Sequence, residues 1–193
     1  GDHPIFAVFQ RFVQLLLLTD PVKSNAHLKV KFSAGQGNWA RVPWIGLMDE
    51  RATTSTQRGI YCVLLFREDC SGVYVTLNQG VTDPQRQLGA QKGKQVLKER
   101  AEALRGQISE LEQDGYTLDN QIDLRASAGL GADYEASTIA YKLYETNEVP
   151  SAEQITDDVA AVLGAYEAVL DTTEPVEPIS LSGVSAGFAA ALE

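Results

Sequence analysis

Gly59-Ile60-Tyr61-Cys62-Val63-Leu64-Leu65-Phe66 is continuously apolar. A run this short, bounded by turn residues and rich in β-branched and aromatic side chains, reads as a strand buried on both faces. Downstream, Asp69 to Gly72 forms a turn and Val73-Tyr74-Val75-Thr76-Leu77-Asn78 alternates with period two, so the two segments pair as an antiparallel hairpin. Upstream, a polar loop from Asp49 to Arg58 separates the central run from Val42 to Met48, an extended apolar segment holding Pro43 and Trp44. Pro43 has no N–H to give to a ladder, so this strand lies at a sheet edge or begins there. Earlier still, Leu28, Val30 and Phe32 alternate with Lys29, Lys31 and Ser33, a strand with one buried and one wet face, and both lysines project from the wet one. Ser33-Ala34-Gly35-Gln36-Gly37-Asn38 is a turn-forming loop. Strands in succession without intervening helices predict an α+β fold with a bent, mainly antiparallel sheet, not a doubly wound one.

Helices flank this block at the N-terminus, in the middle and at the C-terminus. In the first, Ile5, Phe6, Phe9, Phe12, Val13, Leu16 and Leu17 recur at helical spacing and Asp20-Pro21 ends the element. Arg11 and Gln14 interrupt its apolar run, which falls well short of the roughly 20 residues of a membrane span, so a packed amphipathic helix is expected in place of a signal peptide or anchor. Between Gln91 and Gln113, Leu97, Ala101, Leu104, Ile108 and Leu111 form one helical stripe. Residues 114–136 read as an irregular, Gly-containing loop. Ser151, with Gln154 three residues on, has the spacing of a capping box and opens a last helix carrying Ile155, Val159, Val162, Leu163, Tyr166 and Leu170 on one face. Thr172 to Pro178 reads as a linker, and the stretch ending Phe188-Ala189-Ala190-Ala191-Leu192 as a short helix or the start of a further element. Residues 1–171 are thus expected to form the domain, and residues 172–193 a linker with this terminal stretch.

The chain has 193 residues, 44% of them hydrophobic and 22% charged, which is the composition of one globular domain with a proper core. Its net charge of -10 argues at first against an anionic partner. The charge is uneven, however. Residues 1–105 hold 14 basic and 9 acidic side chains, while residues 106–193 hold Arg125 and Lys142 against 17 acids, so the two parts carry +5 and -15. One face can therefore meet an anion while the other stays solvated.

Catalytic signatures are missing from the sequence. The glycine loop lacks the lysine of a phosphate-binding P-loop, and neither a G-x-S-x-G nor an H-E-x-x-H motif occurs. Cys62 and Cys70, with only His3 and His27 as imidazoles, offer no metal-site spacing. A disulfide between them is compatible with the sequence, but nothing points to an oxidising compartment, so reduced thiols in the cytoplasm are expected. What does stand out is the interleaving of Lys29, Lys31, Arg41, Arg51, Arg58 and Arg67 with Trp39, Trp44, Tyr61, Phe66 and Tyr74. Basic side chains neutralise phosphates and flat rings stack on bases removed from a helix. Aromatic residues also fill cores beneath curved sheets; for Trp39 a loop or rim position is expected, and for Trp44 core and pocket remain equal alternatives.

The block from His27 to Ile45, with Gly59 to Phe66 and Tyr74 to Gly80 after it, resembles the N-terminal DNA-binding domain of McrB-type methylcytosine-dependent restriction proteins. The resemblance rests on the Lys29-Val30-Lys31 strand, the Ser33-Ala34-Gly35-Gln36-Gly37-Asn38 loop, the Pro43-Trp44 pair, the Gly59-Ile60-Tyr61 strand and the closing Gln79-Gly80. Dense over about 50 residues, it reaches more weakly to Tyr141 and the last helix. It implies a module that reads modified cytosine in double-stranded DNA by flipping the base into a pocket formed by Trp44, Tyr61 and Leu65. Alternation independently puts Tyr61, Val63 and Leu65 on one face; the outer two lie about 13 Å apart in a flat strand, so a bend or bulge is expected there. The resemblance further implies that Gly35, Gln36, Gly37, Asn38 and Trp39 enter the gap left by the flipped nucleotide. Gln36 stands where the founding member of the family has an aromatic residue, and a glutamine can hydrogen-bond an orphaned base. Lys29, Lys31, Ser33 and Arg41 are the expected phosphate contacts.

Neither cofactor nor catalytic group is implied on this chain. The resemblance places nuclease or GTPase activity in other domains or subunits of a modification-dependent (type IV) restriction system. The alternative is a structural or dimerisation head domain with little or no DNA binding, in which the 97–111 stripe joins two copies.

Overall fold

The computed structural model describes residues 4–35, 39–126 and 128–172. The chain begins with α1 (Pro4–Leu18) and a one-turn α2 (Asp20–Lys23), runs through β1 (Leu28–Ser33), β2 (Trp44–Asp49), β3 (Ile60–Phe66) and β4 (Gly72–Gln79), and then folds α3 (Thr82–Leu88) and α4 (Ala90–Arg105). A 3-10 turn at Ser109–Asp114 leads to α5 (Ala128–Ser137), β5 (Thr138–Glu145) and α6 (Ala152–Thr172). The strands form one open antiparallel sheet in sequence order, β1-β2-β3-β4-β5, which makes the fold α+β with β3 at its centre. Pro43 precedes the first ladder residue of β2, so an interior strand accommodates it at its start.

Alternation along each strand sends side chains to two different layers. Ile45, Leu47, Ile60, Cys62, Leu64, Val75, Leu77 and Ile139 join Phe9, Val13 and Leu16 of α1, Ala101 and Leu104 of α4, and Val159, Val162, Tyr166 and Val169 of α6 in the main core. On the other side Met48, Tyr61, Val63, Leu65 and Tyr74 form a smaller cluster with Val42, Ile122 and Leu124. The Tyr166 hydroxyl ties α6 to the sheet by donating to the Ile60 carbonyl at 2.7 Å and accepting from the Asp49 N–H at 3.2 Å.

Several expectations change here. Asp20-Pro21 does not merely end α1: Pro21 sits in the first turn of α2, where its missing N–H costs nothing. The stripe from Leu97 to Leu111 is not one helix, because α4 stops at Arg105 and Ile108 and Leu111 lie in and beside the 3-10 turn. Every residue of that stripe is at most 4% exposed, packed inside the chain itself, so it offers no surface to a second copy. The 114–136 stretch is not all loop, since it holds most of α5, and β5 completes the sheet. At α6 the Ser151 Oγ accepts the Gln154 N–H at 3.1 Å, which is the expected cap. Among the described residues no helix is long and apolar enough to cross a membrane. The linker and final stretch from 173 to 193 lie outside the described residues, as do Gln36, Gly37 and Asn38.

Candidate nucleic-acid interface

Sheet register decides what shares a face with β3. Ser33 pairs with Trp44, Trp44 with Leu65 and Leu65 with Tyr74; one row along, Lys31 pairs with Gly46, Gly46 with Val63 and Val63 with Thr76. Residues paired across strands point to the same side. Lys29, Lys31 and Ser33 on the edge strand therefore share a face with Trp44, Tyr61 and Leu65, opposite the face that α1 and α6 cover.

On that shared face a cavity of about 470 Å³ opens, with Trp44, Tyr61, Val63 and Leu65 as its sheet wall. Trp44 both lines this cavity and packs against the smaller core cluster. The β3 register is unbroken on both sides, and the bulge lies at Leu77 and Asn78 in β4. Tyr61 and Leu65 both line this cavity, and no bulge interrupts β3 between them. A Cβ built on Gly46 would stand 3.4 Å from the Trp44 ring, so the indole folds down against the strand over this glycine.

The rim opposite comes from the 50–59 loop and α3. Gly80 makes their approach possible: a Cβ there would fall 2.0 Å from the Arg58 nitrogen, so no side chain fits. Gly80 N–H donates to the Gly59 carbonyl at 2.9 Å and Asp83 N–H to the Gln57 carbonyl at 3.0 Å, pinning the loop to the start of α3. Thr56 and Gln57 then line the cavity, and the Tyr61 hydroxyl donates to the Thr56 carbonyl at 3.0 Å. Burial, with Tyr134 nearby, holds the Tyr61 phenol well above its ordinary pKa.

The last wall was not legible as a site. Asp133 and Tyr134 of α5 and Gln85 and Arg86 of α3 all line the cavity. Burial, then the neighbouring Asp133 charge, pushes the Tyr134 phenol up to about 12, so it faces the cavity as a neutral ring. Asp133 Oδ1 accepts from Gln85 Nε2 at 2.7 Å and lies 2.9 Å from Lys94 Nζ. Gln79, at the floor, donates Nε2 to the Leu97 carbonyl at 3.0 Å, and its Oε1 is buried without a partner among the described residues. Two glycines, Gly129 and Gly131, break up the pattern of α5 in the sequence; the signal that could have found it is the adjacent Asp133-Tyr134 pair.

The remaining candidates lie around this opening. Lys29 is 3.5 Å from Glu50, both half-exposed, and Lys31 Nζ donates to the Thr54 carbonyl at 2.8 Å. Arg41 stands 3.9 Å from Glu68, and Ser33 Oγ accepts the Gly35 N–H at 3.4 Å. Solvent-exposed pairs of this kind are worth about 1 kcal/mol or less and exchange readily for another anion. The glycine loop leaves the sheet beside Trp44, closed by an Ala40 N–H to Ala34 carbonyl bond of 2.9 Å, with Gly35 at φ 109°. Trp39, by contrast, turns the other way. Its ring meets those of Phe6 and Phe9 edge-on at 6.3 Å each and lines an apolar groove beside α1, so it is not among the cavity residues.

A search of curated proteins found no match. The family model described as "MrcB-like, N-terminal domain" matches residues 1–171, and on that match the chain belongs to the MrcB-like N-terminal domain family.

Proposed function

We propose that this chain is a DNA-recognition module that receives a flipped, modified cytosine in the cavity bounded by Trp44, Tyr61, Leu65 and Tyr134. It would serve as the targeting part of a modification-dependent restriction system in the cytoplasm, with nuclease or GTPase activity carried by other domains or subunits. The observation that supports this most is a coincidence of position. The three residues that the family resemblance nominates for a base pocket, Trp44 from one strand and Tyr61 and Leu65 from the next, line one cavity, on the sheet face that also carries Lys29 and Lys31. The cavity volume lies within the range of small-molecule sites, large enough for a pyrimidine with its methyl group. Aromatic rings from two directions offer stacking worth about 1–3 kcal/mol per base. The competing dimerisation role rests on the apolar stripe of Leu97, Ala101, Leu104, Ile108 and Leu111, and these side chains are buried within the chain.

The test is a binding titration of the full chain against paired duplexes that differ only in methylation of one cytosine, repeated with Trp44→Ala. The methylated duplex is expected to bind more tightly, and Trp44→Ala to lower that affinity about tenfold while leaving non-specific binding at low salt unchanged. Equal affinity for the two duplexes at moderate salt would remove the modified-base reading. Absence of binding at any salt would remove the DNA reading as well.

A further inference from the structure

Methylcytosine and thymine carry the same methyl group at C5 and differ at position 4, where cytosine has an amino donor and thymine a carbonyl acceptor. Apolar walls and stacking rings treat the two alike, so a pocket built only from Trp44, Tyr61, Leu65 and Tyr134 would not tell them apart. Such a pocket needs one fixed polar atom. Resting on the base-pocket reading above, we propose that Asp133 is the specificity-determining residue of the cavity, its free Oδ2 accepting a hydrogen bond from the exocyclic amino group of the flipped base.

Two observations carry this. First, Asp133 lines the cavity, and its side chain is 33% exposed, so it is neither sealed in the core nor loose on the surface. Second, both of its partners act on the same oxygen: Gln85 Nε2 at 2.7 Å and Lys94 Nζ at 2.9 Å engage Oδ1, leaving Oδ2 without a partner among the described residues. Two donors from different helices fix the carboxylate plane as well as its position. They can do so because α3 and α4 pack closely: a Cβ on Gly93 would lie 2.9 Å from the Gln85 backbone. A carboxylate oxygen left open toward a cavity calls for a ligand that brings an N–H group, and a carboxylate accepting from cytosine N4 is an established pairing.

The held Oδ1 also makes the conservative variant informative. In Asp133→Asn the two donors keep the amide oxygen at the Oδ1 place, which turns the new NH2 toward the base. The wall then offers a donor where it offered an acceptor, matching thymine O4 in place of cytosine N4.

The experiment measures affinities of the full chain for three duplexes with methylcytosine, thymine or an abasic residue at the test position. The test position always lies opposite an abasic site, so that extrusion breaks no base pair. For the wild type, methylcytosine is expected to bind roughly tenfold more tightly than thymine, and both more tightly than the abasic residue. Asp133→Asn is expected to abolish or invert the methylcytosine-to-thymine ratio, with unchanged low-salt binding to plain duplex as the check that it folds. An Asp133→Asn protein that folds and keeps the wild-type ratio within twofold would overturn the assignment of Asp133 and leave the pocket standing. A wild type that binds all three duplexes alike would overturn the pocket reading, and this proposal with it.

Discussion

The two faces of the central sheet are built from the same strands and almost the same residue types, yet they end in different environments. Ile60, Cys62 and Leu64 of β3 point into a core roofed by α1 and α6; Tyr61, Val63 and Leu65, interleaved with them, point to a side bordered by residues near Ile122 and Leu124, the 50–59 loop, α3 and α5. On the roofed side the Tyr166 hydroxyl is tied between Ile60 and Asp49, while the Tyr144 hydroxyl is buried without a partner among the described residues. On the other side a cavity stays open, with Asp133 Oδ2 unpartnered among the described residues. A strand that is apolar on both faces therefore need not be core on both. Burial alone does not separate the two sides, since Leu47 and Leu65 are each 1% exposed.

Those two leucines offer the sharpest way to break the comparison. Leu47 faces the main core, so Leu47→Ala should leave a cavity that close-packed neighbours cannot fill and cost about 3–4 kcal/mol. Leu65 already borders an opening, so its truncation enlarges a space that exists; the loss should be nearer about 1–2 kcal/mol. Urea unfolding midpoints at constant slope measure both. If the two variants unfold alike, the faces are equally packed and the cavity side is simply a second core. If Leu65→Ala also weakens binding to methylated duplex while Leu47→Ala does not, the difference between the faces is functional as well as structural.

The next effect is smaller and electrostatic. Lys29 and Lys31 alternate out of the same edge strand onto the cavity face, and each is held by one exposed contact. Replacing both with glutamine should weaken binding to methylated and plain duplexes by the same factor, about tenfold near physiological salt. The slope of log affinity against log salt should fall by about two, since each lost phosphate contact releases about one counterion fewer. A variant that loses methyl preference but keeps the salt slope would move these lysines from the phosphate backbone to the base.

The parts of this architecture legible in the sequence are those where one local rule acts without competition. The β1 alternation, the buried β3 run and the β3–β4 hairpin each arise from period and turn residues alone, and the cap at Ser151 from its spacing to Gln154. Trp44 and Tyr61, which the family pattern names, line the cavity, and alternation accounts for the face that Tyr61 shares with Leu65. Asp133 and Tyr134 were missed because α5 has no apolar stripe and two glycines, and it is held chiefly by packing against α4. The break in the 97–111 stripe was hidden for the opposite reason. Its apolar spacing continues through Gly106 while the backbone tightens to a 3-10 turn, so periodicity reports burial without reporting the helix. Trp39 shows a third case: an aromatic ring in a basic, glycine-rich loop can serve the helix beside it, here Phe6 and Phe9.

The smallest effect compares two carboxylates, one on each side of the sheet. Asp49 ends β2 on the roofed side with both oxygens engaged: Oδ1 accepts the Arg51 backbone N–H and Nε at 2.9 Å each, and Oδ2 accepts Nη2 at 2.7 Å. The Arg51 hydrogen bonds hold its carboxyl below the usual carboxylate range, against the opposing effect of burial. On acidification the unfolded chain therefore takes up this proton before the folded one does. The stabilisation is complete above the ordinary carboxyl pKa of about 4 and declines as pH falls through the lower folded value. Because Arg51 is half exposed, the whole contribution should be under about 1 kcal/mol. Asp49→Asn should then unfold at lower urea than wild type at pH 6, with the gap closing below pH 3 and DNA affinity unaffected throughout. A gap that persists at low pH would mean that Asp49 contributes geometry and not charge. A loss of DNA affinity would mean that the two sides of the sheet are coupled, and that the roofed side is part of the recognition machinery after all.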